Sequence, residues 1–211
     1  MEKKWQAIFF DFDGVILDSV HVKTRAFAKM FRDYGPEIEK RVVDYHLAHG
    51  GVSRFEKFRY FYEEFLRKPV TDAEIEKLGE QFSDLALEEV LNSPFIEGAG
   101  KTLEQVRKEN ILSFVVSGTP GEEMKQIVNL RNLWPYFKEV HGSPTHKDEH
   151  VRDIAKRYDL NLANCLFIGD STTDYEAAMA AGTQFLGVVP KGKSSPFPEG
   201  TTIRHKLDIN H

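Results

Sequence analysis

The sequence predicts an α/β fold, a doubly wound parallel sheet with an inserted all-helical domain. Three observations support this prediction. From residue 98 to residue 189, short apolar segments of strand length alternate with segments of helix length. Residues 19–92, which follow the first apolar segment, show only helical periodicity. Polar residues suited to catalysis follow several predicted strands, at the end where ligands bind in sheets of this kind.

The first predicted strand covers residues 7–10 and stops abruptly at Asp11, Phe12, Asp13 and Gly14. Two carboxylates separated by one apolar residue thus lie at the carboxyl end of a buried strand. Gly14 allows the backbone to leave the strand with dihedral angles that other residues avoid. The same residue types are common in solvated turns, so the motif alone does not establish a site. It is a candidate for binding a hard cation and for presenting a nucleophilic carboxylate.

Four helices are predicted between this strand and the rest of the sheet. They cover residues 19–34, 37–48, 53–67 and 71–91. Gly or Pro residues end the first three, and Thr71 with Glu74 has the spacing of a capping box at the start of the fourth. The aromatic stripe of the third helix predicts packing. We therefore assign residues 1–18 and 93–211 to an α/β core and residues 19–92 to a separate helical domain.

The α/β alternation resumes near residue 98. The predicted strands are residues 111–116, 137–141, 165–168 and 185–189, and the predicted helices are residues 99–110, 122–130, 149–158 and 175–181. The remaining tail, rich in Pro, Gly and Ser, is predicted to be irregular.

Chemically useful side chains follow these strands in a consistent way. Asp11 and Asp13 follow the first strand, Ser117 the second, Lys147 the weak third and Asp170 the fourth. Because the carboxyl ends of parallel strands share one edge, we expect these side chains to converge. A divalent cation between two of the carboxylates would allow a phosphate ester to approach, and the hydroxyl, lysine and backbone N–H groups would bind its oxygens. Asp11 would attack phosphorus, and Asp13 would act as acid and base.

These segments resemble the four motifs of the haloacid dehalogenase superfamily. The segments are FFDFDGVILDS, VVSGT, Lys147 and IGDSTTDYEAAMAAG, and the resemblance as a whole spans about residues 7–189. The resemblance implies a hydrolase with a helical cap over a Mg²⁺ site. The implied roles are nucleophile for Asp11, acid and base for Asp13, phosphate binding for Ser117, Gly118 and Lys147, and Mg²⁺ binding for Asp11, the Asp13 carbonyl, Asp170 and Asp174. Since Lys147 is followed by Asp148 instead of the usual Pro, Lys125 and Lys138 compete for the third-motif role.

The subclass is less defined by the sequence. The segment GGVSRFEKF is similar to a stretch of β-phosphoglucomutases in which the Arg binds a second phosphate, so Arg54 is either a substrate contact or a surface residue. Gly169-Asp170 is the form common in phosphoglycolate phosphatase-like members, whereas the mutases carry Glu-Asp. Lys23 also replaces a His of the mutases. A Mg²⁺-dependent phosphatase of a small phosphorylated metabolite is the leading hypothesis. A sugar phosphomutase is the alternative, and a non-catalytic binding protein is the third.

Composition narrows the remaining possibilities. The 211 residues have a net charge of −5 and a pI of about 5.9, which disfavours a nucleic-acid-binding surface. The single cysteine, Cys165, cannot form an internal disulfide, which fits a reducing compartment. No apolar run approaches the length of a membrane span, and the charged N-terminal stretch lacks the features of a signal peptide. We therefore expect a cytoplasmic protein without a membrane partner. The oligomeric state is not predicted.

Overall fold

A computed structural model describes residues 5–210 of the chain. Residues 1–4 and residue 211, which the sequence assigned to the core, lie outside this range. The strands are β1 (Ala7–Phe10), β2 (Leu112–Pro120), β3 (Glu139–Ser143), β4 (Cys165–Gly169), β5 (Gln184–Val188) and β6 (Ile203–Arg204). The helices are α1 (Val20–Phe31), α2 (Pro36–Ala48), α3 (Arg54–Tyr60), α4 (Asp72–Asn92), α5 (Ala99–Lys108), α6 (Gly121–Leu130), α7 (Lys147–Arg157) and α8 (Thr172–Ala181).

The six strands form one parallel sheet in the order β3-β2-β1-β4-β5-β6. β1 lies between β2 and β4, and Ala7 pairs with Leu112 on one side and with Cys165 on the other. The strand order reverses beside β1, so this is the switch point at which ligands bind in open α/β sheets. The predicted doubly wound parallel sheet is confirmed.

Side chains of β1 alternate between two hydrophobic layers, as strand geometry requires. Ile8 and Phe10 face a cluster that includes buried residues of α5 and α6. Ala7 and Phe9 face a second cluster with buried residues of α7 and α8. Helices therefore cover both faces of the sheet, which explains why the central strands are continuously apolar.

Helices α1 to α4 form the helical segment that the sequence placed between the first two strands. A π-helical turn over Phe61–Phe65 extends α3. Phe27 contacts the rings of Phe58, Phe61 and Phe82, with centroids 4.5 to 5.7 Å apart, so the aromatic stripe forms the interior of this segment. The predicted capping box of α4 is present. The domain boundaries themselves stay a prediction.

Several predicted boundaries differ from the structure. β2 continues through Ser117 to Pro120, and α7 begins at Lys147, two residues before the predicted start. The tail was predicted to be irregular, but its residues Ile203–Arg204 pair with β5 as a sixth strand. This two-residue strand is too short for a sequence pattern to reveal. Within residues 5–210, no helix combines the length and apolar character needed to cross a bilayer.

Candidate active site

The carboxyl ends of β1, β2 and β4 lie side by side and carry residues that the sequence predicted for the site. Asp11 directly follows β1, Ser117 lies in the last part of β2, and Asp170 follows β4. Carboxylate oxygens of Asp11, Asp170 and Asp174 come within 4.8 Å of one another. The structure thus brings residues that are about 160 positions apart in the sequence to one edge of the sheet.

Lys147 connects two of these carboxylates. Its Nζ donates a hydrogen bond to Asp174 Oδ1 at 2.6 Å and lies 3.1 Å from Asp11 Oδ1. Burial opposes the charge of Lys147, but the two carboxylates outweigh burial and raise the pKa of the ammonium above its usual value. The competing candidates, Lys125 and Lys138, are both exposed at the surface. Of these three candidates for the third-motif lysine, Lys147 is therefore the one that the fold places beside the carboxylate cluster.

Asp174 is fully buried, and both of its carboxylate oxygens accept hydrogen bonds. Oδ1 accepts from Lys147, and Oδ2 accepts from the Ser171 backbone N–H at 3.1 Å and from the Ser171 hydroxyl at 2.5 Å. Ser171 and Asp174 also form the capping box of α8. The capping geometry of one helix therefore fixes the carboxylate that positions Lys147.

Asp170 differs from Asp174 in its surroundings. Among residues 5–210, no cation lies within 4.0 Å of its carboxylate, and no hydrogen-bond donor reaches it. Burial, followed by repulsion from Asp11 and Asp174, raises the pKa of Asp170 well above its usual value. Gly14 makes room for this carboxylate, because a Cβ at residue 14 would lie 2.1 Å from Asp170 Oδ2.

This carboxylate set fits a divalent cation. Burial, followed by repulsion from Asp174, raises the pKa of Asp11 to about 7. Lys147 pairs with two of the three carboxylates, and Asp170 has no paired cation among residues 5–210, so the ionised cluster carries an excess of negative charge. Clustered carboxylate oxygens are the ligands that Mg²⁺ prefers, and a bound cation would relieve their repulsion. Asp11 and Asp170, whose oxygens are the least engaged, are the best-placed ligands.

The second carboxylate of the first motif, Asp13, has three hydrogen-bond donors around it. The Ser19 hydroxyl donates to Asp13 Oδ1 at 2.6 Å, the Thr119 hydroxyl donates to Oδ2 at 3.2 Å, and Lys23 Nζ forms a short ion pair with Oδ2. Burial by itself would raise the pKa of Asp13, but these partners, Lys23 above all, lower it. Asp13 is therefore held as an ionised carboxylate.

The loop between α2 and α3 lies directly against the predicted phosphate-binding residues. The Thr173 hydroxyl donates to the Gly50 carbonyl at 2.5 Å. A Cβ at Gly118 would lie 2.3 Å from the Gly51 carbonyl oxygen, so Gly118 permits this approach. Ser117 is buried beneath the loop, and its hydroxyl accepts a hydrogen bond from the Thr119 backbone N–H at 3.1 Å.

Arg54, at the start of α3, links the helical segment to the core. Its two terminal nitrogens donate to the two carboxylate oxygens of Glu123 in α6, at 2.7 and 2.9 Å. It also donates to the Ser83 hydroxyl at 2.7 Å, and its guanidinium lies 4.4 Å from the centroid of Phe82. Arg54 is 5% exposed, so the surface alternative is wrong. Its predicted substrate contact stays a prediction, because the guanidinium already has a carboxylate partner.

A cavity of about 170 Å³ separates the helical segment from the carboxylate cluster. Asp11, Asp13 and Asp170 line it on the core side, and His46 and Lys57 line it on the helical side. Its volume lies below the range typical of drug-sized ligand sites, which favours a small ligand. Residues of both the core and the helical segment form its walls.

Sequence reasoning missed several residues of this cavity. Lys23 was noted only as a departure from the mutase pattern, and the contacts of Ser19 and Thr119 with Asp13 were not predicted. His46 and Lys57 were also not singled out. One signal was available for Lys57, since Arg54, Lys57, Phe58 and Phe61 recur at the spacing of one helix face, which places two basic residues on an apolar face.

Comparisons with known proteins agree with this geometry. A family model described as haloacid dehalogenase-like hydrolase matches residues 8–188. The 6-phosphogluconate phosphatase of Escherichia coli K12 is 26% identical over 208 residues, covering 95% of this chain and 90% of the relative. A phosphoglycolate phosphatase of Aquifex aeolicus is 27% identical over 192 residues, covering 85% of this chain and 82% of the relative.

Solved structures share the fold at lower sequence identity. A family IA haloacid dehalogenase hydrolase of Entamoeba histolytica superimposes with a TM-score of 0.78 at 17% identity, covering 97% of this chain and 96% of that chain. The β-phosphoglucomutase of Clostridium difficile gives a TM-score of 0.73 at 22% identity, covering 88% and 85%. With the family model matched over most of its length, the chain belongs to the haloacid dehalogenase-like hydrolase family.

Proposed function

We propose that this protein is a Mg²⁺-dependent phosphatase of a small phosphorylated metabolite and that it acts through an aspartyl-phosphate on Asp11. The observation that carries the proposal is the buried cluster of Asp11, Asp170 and Asp174, with Lys147 between two of its members. The cavity beside this cluster favours a small substrate. The named relatives act on 6-phosphogluconate and phosphoglycolate, which makes phosphorylated metabolites of that size the first candidates.

Asp11, the Asp13 carbonyl and Asp170 would hold the cation. When bound, Mg²⁺ supplies positive charge that offsets the repulsion between the substrate phosphate and the carboxylates. Asp174 supports this arrangement from behind, since its oxygens are engaged by Lys147 and Ser171.

Ser117, the backbone N–H of Gly118 and Lys147 bind the phosphoryl oxygens in this proposal. Lys147 brings a fixed positive charge that is already oriented by Asp174. An Asp11 oxygen then attacks phosphorus, the new oxygen–phosphorus bond forms, and the bond to the leaving alkoxide breaks. Water subsequently attacks the aspartyl-phosphate, which releases inorganic phosphate and restores the Asp11 carboxylate.

Asp13 handles the protons of both steps. Because Lys23 keeps Asp13 ionised, Asp13 must gain a proton before it can protonate the leaving oxygen, and a phosphate ester bound as its monoanion can supply that proton. In the second step Asp13, as a carboxylate, accepts a proton from the attacking water. Ser19 and Thr119 hold the carboxylate in position throughout.

A phosphate-release assay over a panel of small phosphate esters tests this proposal. We expect turnover of at least one ester with Mg²⁺, loss of turnover with a chelator, and recovery when Mg²⁺ is restored. Asp11→Asn should abolish the activity, whereas Asp18→Asn, which changes an exposed carboxylate of the same segment, should retain it. Activity that survives in Asp11→Asn would exclude the mechanism.

The mutase alternative gains no support from the fourth motif. A Cβ at Gly169 would lie 2.1 Å from the Cβ of Asp174, so this packing leaves no room for the Glu that mutases carry. Incubation with β-glucose 1-phosphate and a bisphosphate primer distinguishes the two activities. A phosphatase releases inorganic phosphate, whereas a mutase yields the 6-phosphate.

A further inference from the structure

Lys57 is a buried cation on the helical side of the cavity. It is 2% exposed, and its Nζ lies 3.0 Å from His46 Nδ1, which is itself buried. An ammonium is only a donor, so His46 must accept this hydrogen bond as a neutral ring with an unprotonated Nδ1. Burial, together with the neighbouring charge of Lys57, lowers the pKa of His46 to about 3, in agreement with a neutral ring.

The other cations around the cavity have carboxylate partners. Lys23 is paired with Asp13, Lys147 with Asp11 and Asp174, and Arg54 with Glu123. Among residues 5–210, no carboxylate lies within 4.0 Å of the Lys57 ammonium. Lys57 therefore retains two N–H donors beyond the one directed to His46, and it lines the cavity.

A buried ammonium without a counter-charge is unfavourable. Burial, followed by repulsion from Lys23 and Lys147, lowers the pKa of Lys57 to about 7. A neutral substrate would leave this cost in place, whereas an anionic group in the cavity would offset it and complete the hydrogen bonds of the ammonium.

We propose that Lys57, held by His46, determines substrate specificity by binding a second acidic group of the substrate. This inference rests on the proposed phosphatase function. This group would lie on the helical side of the cavity, while the phosphoryl group lies against Asp11 and Lys147 on the core side. The substrate would accordingly be a short phosphate ester that carries a carboxylate or a second phosphate.

The wild-type protein tests this directly with matched substrates. 3-Phosphoglycerate carries a terminal carboxylate where glycerol 3-phosphate carries a neutral hydroxymethyl group. A three-carbon bisphosphate carries a second phosphate in place of the carboxylate. We expect kcat/KM to be about 10- to 100-fold higher for at least one acidic ester, the range typical of a hydrogen bond to a charged group. A preference for the carboxylate or for the bisphosphate identifies which acid the cavity takes. Equal kcat/KM for acidic and neutral esters would overturn the proposal.

Lys57→Met removes the charge and keeps a long side chain. We expect it to lower kcat/KM for the favoured acidic ester by about 10- to 100-fold and to leave the neutral ester unchanged. Lys40→Met, at an exposed lysine of the same helical segment, is the matched control and should change neither value. Equal losses on both esters in Lys57→Met would mean a structural role and would contradict the proposal.

Binding measurements separate this proposal from the proposed function. Phosphonoacetate and 2-hydroxyethylphosphonate are phosphonates, so they cannot be hydrolysed as phosphate esters. Phosphonoacetate carries a carboxylate where 2-hydroxyethylphosphonate carries a neutral hydroxymethyl group. By calorimetry with Mg²⁺ present, the wild type should bind phosphonoacetate more tightly than the neutral analogue, and Lys57→Met should lose that difference. If no ester is hydrolysed but the wild type still prefers phosphonoacetate and Lys57→Met does not, the proposed phosphatase function is wrong and the acidic subsite is supported. If esters are hydrolysed but the wild type binds both analogues equally, only the acidic subsite is wrong.

Discussion

The two sides of the cavity contain charged residues arranged in opposite ways. On the core side, carboxylates at the strand ends outnumber the cations, and Lys147 is shared between Asp11 and Asp174. On the helical side, cations dominate, and within the described residues 5–210 the neutral ring of His46 is the only hydrogen-bond partner of Lys57. A substrate phosphate with its metal suits the core side, whereas an anionic substrate tail suits the helical side. Under the two proposals above, catalysis and substrate specificity would therefore reside on different structural elements.

The largest expected effect concerns the core side. Lys147→Met should lower kcat/KM by about 10²- to 10³-fold, because a positioned positive charge at the reacting phosphate is lost. Lys138→Met, which removes an exposed lysine that the sequence could not exclude, is the matched control and should retain activity. Steady-state phosphate release measures both variants. Loss of activity in Lys138→Met with full activity in Lys147→Met would contradict the assignment of Lys147 as the phosphate-binding lysine.

The next effect concerns the contact between the two sides. Arg54 is buried and the side chain of its partner Glu123 is 11% exposed, so removing either leaves the other without its ion-pair partner. A double-mutant cycle should therefore give a coupling energy of about 1.5–3 kcal/mol. The cycle uses Arg54→Met, Glu123→Gln and the double variant, with the free energy of unfolding and kcat/KM as readouts. If Arg54 acts mainly through Glu123, the double variant should be no worse than the single variants. Additive losses in kcat/KM would instead support a separate contact of Arg54 with substrate.

The smallest effect concerns the pH dependence of the helical side. The pKa of His46 is about 3 in the folded protein and about 6.5 when unfolded, so the unfolded chain binds more protons between these values. The free energy of unfolding should therefore fall as the pH is lowered from 7 to 5, by about 2 kcal/mol from this residue. Urea unfolding of the wild type and of His46→Leu at both pH values measures the difference. Identical pH dependence in the two proteins would show that His46 does not titrate in this way.

The core side could be predicted from the sequence because it depends on strand order and strand ends. Asp11, Ser117 and Asp170 each follow or end a short apolar run, and parallel strands bring such positions to one edge. The predicted family is confirmed by the family model, and the predicted doubly wound sheet is confirmed by the observed strand order. Lys147 was less secure, because a lysine in a charged loop has no periodic pattern that fixes its direction.

The helical side could not be predicted to the same extent. The spacing places Lys57 on the apolar face of α3, but which groups that face meets depends on how α3 packs against the rest of the molecule, which the sequence pattern does not determine. The partner of Arg54, Glu123, lies 69 residues away in another part of the chain. The two-residue strand β6 was missed because it exists only through its pairing with β5. The predicted domain boundaries and the cytoplasmic location stay predictions.

Trapping the covalent intermediate tests the central claim most directly. The protein is mixed with Mg²⁺ and a turned-over phosphate ester, quenched in acid within one turnover, digested and analysed by mass spectrometry. We predict a phosphoryl group on the peptide that contains Asp11, located on that residue by fragmentation and absent from Asp11→Asn. Mg²⁺-dependent phosphate release from an enzyme that is never phosphorylated at Asp11, or is phosphorylated at another residue, would contradict the account.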